Sequence, residues 1–388
     1  MNSKFLFSFL FLALIWGCKD SNPQEPADSK TKTEANHDHS SHEHDTHGKT
    51  KSTLDTQTLL YPGETHLKNM KQLTFGGDNA EAYFSFDNKN LVFQASYDKW
   101  GTACDQIFMM PATGYTGEKP PMLSTGKGRT TCSYFMPGNK EIIYSSTHLG
   151  NEACPNAPRT VNGKYVWAIF KDFDIFVADL DGNIKKQLTH SPGYDAEPTI
   201  SPDGKTIVFT STRSGDLELW TMNIDGSNKK QVTHGLGYDG GAFFSPDSKK
   251  LLFRASRPKT KEAIKTYKDF LKQGLVQPTN MELYVCNVDG SDLRQVTHLG
   301  GANWAPFFHP SGKKIIFASN HLSKGKGRPQ FNLFSINLDG TNVERLTHDP
   351  VFDAFPMFSP DGKKLVFSSN RNNGGGHDTN VFIADWVE

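Results

Sequence analysis

Carboxylates and carboxamides recur along this chain at a fixed spacing. Asn79, Thr130, Asp195, Asp239, Asn303 and Asp353 each stand six residues ahead of a Ser-Pro-Asp-Gly type of turn, and Glu81 and Glu197 lie two residues further on. Gathered in a confined funnel, Asn79, Glu81, Asp195, Glu197, Asp239, Asn303 and Asp353 have the oxygen chemistry to hold Ca²⁺ or the basic groups of a peptide, and Asp195, Glu197, Asp239 and Asp353 could supply an acid/base pair for glycoside chemistry. The plainer reading is that Asp or Asn here caps the turn entering a strand. His37, His39, His42, His44 and His47 crowd an acidic stretch, where flexible imidazoles suit loose Zn²⁺ binding or simply form a polar spacer. His190, His234, His298 and His348 recur once per repeat, so they are spread apart rather than gathered round one ion. Cys104, Cys132 and Cys154 are candidates for one disulfide, with Cys132–Cys154 the first choice because a long loop gives Cys154 reach, whereas Cys286 reads as a buried thiol. Neither a Gly-x-Ser-x-Gly nor a His-Glu-x-x-His motif occurs.

The elements that must position these groups are set by an internal repeat. Its clearest copy runs Ala196-Glu-Pro-Thr-Ile-Ser-Pro-Asp-Gly204, Lys205-Thr-Ile-Val-Phe-Thr-Ser211, Leu217-Glu-Leu-Trp-Thr-Met-Asn-Ile-Asp-Gly226 and Lys230-Gln-Val-Thr-His234. The turn returns as Ser245-Pro-Asp-Ser248, His309-Pro-Ser-Gly312 and Ser359-Pro-Asp-Gly362, with weaker copies at Ser85-Phe-Asp-Asn88 and Met136-Pro-Gly-Asn139. Short strands rich in Val, Ile, Phe and Tyr, divided by reversal residues and repeating after 44 residues from Ser201 to Ser245, describe a propeller blade of four strands. Consecutive apolar residues such as Ile207-Val-Phe209 fit sheets packed on both faces. The fold class is therefore all-β, a six-bladed β-propeller over residues 59–388. The carboxyl end, Val381-Phe-Ile-Ala-Asp-Trp386, reads as a third strand, and Lys71-Gln-Leu-Thr74 reads as the missing fourth, so the last blade closes with a strand from the chain's start.

Leu-Thr-His, then Tyr-Asp-Ala-Glu-Pro, then Ser-Pro-Asp-Gly-Lys and a Val-Phe strand resemble the repeats of the TolB-like propeller family of bacterial envelope proteins, over roughly 67–388. The resemblance implies a module that binds a protein or peptide partner.

Strands that run up and down put the A–B and C–D turns on one face and the B–C and D–A loops on the other. The long insertions, 147–172, 257–280, 321–330 and 370–380, all fall in B–C loops, which makes that face the expected binding face. Within the second, Lys261 to Lys272 sets Ile264, Tyr267, Phe270 and Leu271 on one helical stripe and its lysines elsewhere, with Gly274 as a stop. The stripe reads as packing on the propeller rim, with partner docking as the other reading.

The amino terminus points to export. Lys4 precedes an apolar run over 5–16, too short to span a bilayer comfortably, and Ile15-Trp16-Gly17-Cys18 resembles a bacterial lipobox, which marks Cys18 for lipid attachment. Residues 1–17 read as a signal peptide and 18–58 as a flexible His-rich tether with little apolar surface to bury. With 42 basic against 42 acidic residues and no basic stripe, nucleic acid is not an expected partner, and the lipid is the only expected membrane contact. The expectation is a monomeric, non-enzymatic binding lipoprotein of the cell envelope, at the outer membrane facing the periplasm. The alternatives are a carbohydrate-active lyase or glycosidase using the mouth carboxylates, or metal capture by the tether.

Overall fold

Ring closure organises the whole body. The computed structural model describes residues 54–323, 330–350 and 352–388. The leader, Cys18 and the five histidines from His37 to His47 lie outside the described residues. Six antiparallel sheets are arranged as blades whose strands A to D run from the channel outward. Their A strands are Asp78–Phe84, Thr130–Phe135, Asp195–Ile200, Asp239–Phe244, Asn303–Phe308 and Asp353–Phe358. The last blade takes its fourth strand, Leu67–Gln72, from the start of the body, paired antiparallel with Asn380–Trp386. Blade 1 departs from the four-stranded expectation. It has three strands, and its outer edge is a single bridge between Phe108 and Met122.

The turns explain why weak copies of the repeat still work. The fourth turn position is left-handed in every blade: Gly204, Gly312 and Gly362 at φ 73°, 68° and 71°, Asn88 and Asn139 at 62° and 57°, and Ser248 at 61°. Glycine takes that conformation freely and asparagine tolerates it better than most residues, so the Asn-ended copies keep the same geometry.

Each A strand also carries a bulge. The bulged residue adopts positive φ in all six blades: Glu81, Cys132, Glu197, Gly241, Ala305 and Phe355, between 44° and 59°. The register with strand B shifts at the same place in every blade. The bulge leaves one residue unpaired and turns it away from the ladder, here toward the central channel.

Two loop-face insertions pair with each other. Trp167–Ala168 from blade 2 forms a small sheet with Leu275–Val276 from blade 4, and the Ile169 amide donates to the Gly274 carbonyl at 2.6 Å. The helix Lys261–Leu271 lies in the blade 4 insertion, capped by the Thr260 hydroxyl, with Tyr267 and Phe270 buried and its lysines exposed. The stripe thus packs inward. No described helix is long and apolar enough to cross a membrane.

Candidate functional site

At the loop-face end of the channel the expected funnel of free carboxylates does not form. Asp195, Asp239 and Asp353 are buried at 1%, 0% and 0% exposure, and each is held by an arginine of its own blade. Arg213 donates to Asp195 at 2.7 Å, Arg257 forks onto both oxygens of Asp239, and Arg371 reaches both oxygens of Asp353 at 3.2 Å. Burial pushes the Asp239 carboxyl above its ordinary range, with Arg257 pulling against that shift. Asn303 donates to the Met281 carbonyl at 2.8 Å and Asn79 to those of Gly76 and Thr379 at 2.9 and 3.0 Å. These side chains therefore tie neighbouring segments together instead of converging on a cation. Among the described residues no three His, Cys, Asp or Glu side chains are placed to hold a metal ion. The strand-end histidines sit on the rim, His190, His234 and His298 exposed and His348 half-buried.

The loop-face mouth is also covered. Trp167 lies against Trp304 at 5.1 Å between ring centres, Trp304 stacks on Phe331 at 4.3 Å, and Phe331 meets Phe352 at 5.8 Å. The Arg254 guanidinium lies 5.4 Å from the Trp167 ring and 5.1 Å from that of Tyr238. A cleft of about 610 Å³ remains beside this cap, lined by Phe170, Lys171, Tyr194, Leu271 and Lys272 among others.

Below the cap lies the bulge tier, polar on one side (Glu81, Cys132, Glu197) and apolar on the other (Ala305, Phe355). Gly241 supplies no side chain, and Arg254 occupies that space. Arg254 binds Glu197 and donates to the Tyr238 hydroxyl at 2.6 Å, while Glu197 also accepts from Tyr238 at 3.0 Å, Thr210 at 2.7 Å and the Gly241 amide at 2.9 Å. Burial alone would raise the Glu197 carboxyl, but Arg254 and these donors hold it below its ordinary value. Glu81 is different. Half-buried, it accepts from the Tyr83 hydroxyl at 3.3 Å and faces the Cys132 thiol, and burial pushes it up to about 6. Burial first, and Glu81 second, raise the Cys132 thiol well above its usual range.

Two residues further along each A strand stands an aromatic tier: Tyr83, Tyr134, Phe243 and Phe307, with Thr199 and Met357 completing the ring. Tyr83 meets Phe243 at 5.5 Å and Tyr134 at 5.8 Å, and Phe243 meets Phe307 at 5.1 Å. This tier opens onto a cavity of about 220 Å³ on the short-turn face, rimmed by Phe86, Pro202, Pro246, Pro310 and Pro360. The repeat alignment contained this tier, but a search for polar columns passes over an aromatic one.

Cys104 and Cys154 form a disulfide, Cα atoms 5.9 Å apart, which corrects the Cys132–Cys154 expectation. Cys132 occupies the bulge of blade 2, where its thiol meets Thr131 and Glu81 instead of the 147–172 insertion. Cys286 is a buried free thiol.

A closed ring of six repeat-built blades around a short, tiered channel defines a six-bladed β-propeller. Residues 164–275 and 275–377 match the TolB beta propeller domain, and the chain belongs to that family. It is similar to the protein TolB homolog of Chlorobium chlorochromatii, 25% identical over 170 residues, which are 42% of this chain and 33% of that protein. The match thus spans about a third of that curated relative's length. Among solved structures, TolB from Acinetobacter baumannii superposes with a TM-score of 0.52 at 18% identity, covering 78% of this chain and 65% of that one. A gluconolactonase from Xanthomonas campestris has the same fold, at a TM-score of 0.53 and 13% identity over 83% and 91% of the two chains.

Proposed function

We propose that this chain is a lipid-anchored binding module of the bacterial envelope that engages a protein partner by admitting a side chain of that partner into the channel from the short-turn face. The observation that carries this reading is the cavity of about 220 Å³ walled by aromatic rings and rimmed by proline turns. Concave apolar sites with a few polar groups at depth are where ligands are bound, and Pro202, Pro246, Pro310 and Pro360 of the A–B turns rim this one. The loop-rich face, the first expectation, supports a second contact through the cleft beside Tyr194 and Leu271. The acid/base pair that a lyase or glycosidase would draw from Asp195, Glu197, Asp239 and Asp353 is engaged by arginines. Membership of the TolB family and the Ile15-Trp16-Gly17-Cys18 motif support the envelope location.

The test is capture from envelope extracts with wild type, Phe307→Glu at the funnel wall, and Leu149→Glu at an exposed loop-face position. The partner should be recovered by wild type and Leu149→Glu and lost with Phe307→Glu. The reverse pattern would place binding on the loop face. In the same cells Cys18→Ala should release the protein from membranes, and an unchanged membrane fraction would remove the anchor.

A further inference from the structure

We propose that the group admitted by this funnel is a primary ammonium on an aliphatic stem, as a lysine side chain or an equivalent amine presents it. The inference rests on the funnel reading above and concerns what the channel recognises once a side chain has entered.

The first argument is charge. Two carboxylates project into the bulge tier from blades 1 and 3, but one guanidinium serves them, and Arg254 is spent on Glu197. Besides Arg254, Glu197 has three further donors, the Thr210 and Tyr238 hydroxyls and the Gly241 amide. Glu81 has a phenol at 3.3 Å and a thiol. An apolar plug would bury that carboxylate with only the phenol and the thiol as partners, which is costly. An ammonium would supply the missing positive charge.

The second argument is shape and surface. Tyr134, Phe243 and Phe307 wall the cavity, and the buried Tyr83 ring, packed on Tyr134 and Phe243, stands between it and Glu81. Aromatic faces attract a cation while their apolar surface accepts methylenes. The aromatic and bulge tiers are two residues apart on each strand, roughly 7 Å, a depth suited to the four-carbon stem of lysine with its charge at the end. Tyr83 stands at the crossing, its hydroxyl on Glu81 and its ring against Phe243. An entering ammonium takes over the hydrogen bond to Glu81 as Tyr83 swings to offer its ring face. A bare metal ion is a poor alternative, because the tier offers it too few ligands.

The experiment titrates the purified protein with n-pentylammonium and, separately, with n-pentanol, an uncharged probe of the same length, following binding by calorimetry or by NMR shifts. At pH 7.5 the ammonium should bind at least roughly tenfold more tightly than the alcohol. Glu81→Gln should bring the two to parity. Wild type at pH 5, below the value of about 6 to which burial raises Glu81, should shift in the same direction, and this arm needs no variant. Parity in wild type at pH 7.5 would overturn the ammonium inference and leave the funnel reading intact. Failure of both probes to bind would overturn both.

Discussion

Arg213, Arg257 and Arg371 each lie 18 residues after the aspartate they bind, and the other three blades carry His148, His321 and Tyr97 at that position, opposite Thr130, Asn303 and Asn79. The two columns face each other across the A–B hairpin, and a basic partner of fixed charge appears where the first column is Asp. Both columns are legible in the sequence, but ligand chemistry alone singles out the acidic one and not the column that opposes it. The energetic consequence is testable. Arg257→Met leaves Asp239 buried beside Glu218 and Asp216 without its neutralising charge, a defect that costs about 3–5 kcal/mol. Urea denaturation should show that loss, and adding Asp239→Asn should recover most of it. Glu218 offers a test in the opposite direction. Burial, with Asp239 and Asp216 nearby, pushes its carboxyl up to about 8. Its protonated form is favoured by the fold, so the stabilisation is fully present below the unfolded value near 4.5 and is lost as pH rises through about 8. Glu218→Gln keeps an acceptor for the Thr233 hydroxyl and cannot ionise. Its stability relative to wild type should therefore rise between pH 5 and 9, as read from thermal melts at each pH.

Among the elements, the insertions behaved as their patterns required in one case and not in the other. The helix Lys261–Leu271 was visible because 3.6-residue spacing survives in a single segment. The pairing of Trp167–Ala168 with Leu275–Val276 was not, since two residues from insertions about a hundred positions apart carry no local signal. That pairing shapes the loop face, because it holds Trp167 beside Trp304. The same holds for the disulfide, where loop reach permitted either partner and only the placement of Cys132 in a channel bulge excluded one. Cys104–Cys154 ties the blade 2 insertion to blade 1 across 50 residues. Cys154→Ser should lower stability by roughly 2–4 kcal/mol. Hydrogen exchange should then rise within 147–172 while the A strands stay protected, a pattern that separates a loosened cap from a destabilised ring.

For the molecule as a whole, closure was the most legible feature, since strand counting left one blade short at the end and one strand spare at the start. The structure adds a second clasp that the count could not supply. Glu64 is 4% exposed and accepts the Tyr61 and His348 amides at 3.0 and 2.9 Å, while Arg371 donates to both its oxygens at 3.0 and 3.1 Å. The strand and the ion pair thus hold the beginning of the body to its end. Leu67, Met70 and Leu73 are buried at 2%, 6% and 6%, and burial of such side chains contributes about 1.5–3 kcal/mol each. Removing Leu67–Gln72 would forfeit most of that, strip the ladder from Asn380–Trp386, expose an edge strand to other chains and misplace Glu64 from Arg371. These losses together approach the whole 5–15 kcal/mol by which a domain is ordinarily stable. The deletion should therefore yield aggregated or unfolded protein. Removing 20–49, which carries little apolar surface to bury, should leave the melting temperature within a degree or two of wild type. Differential scanning calorimetry of the two deletions side by side decides the matter, and equal melting temperatures would show that the ring does not depend on its amino-terminal strand. A cleaner variant probes the clasp alone. Glu64→Gln preserves the strand but leaves Arg371 with one negative partner fewer, so it should lower the melting temperature measurably without causing aggregation.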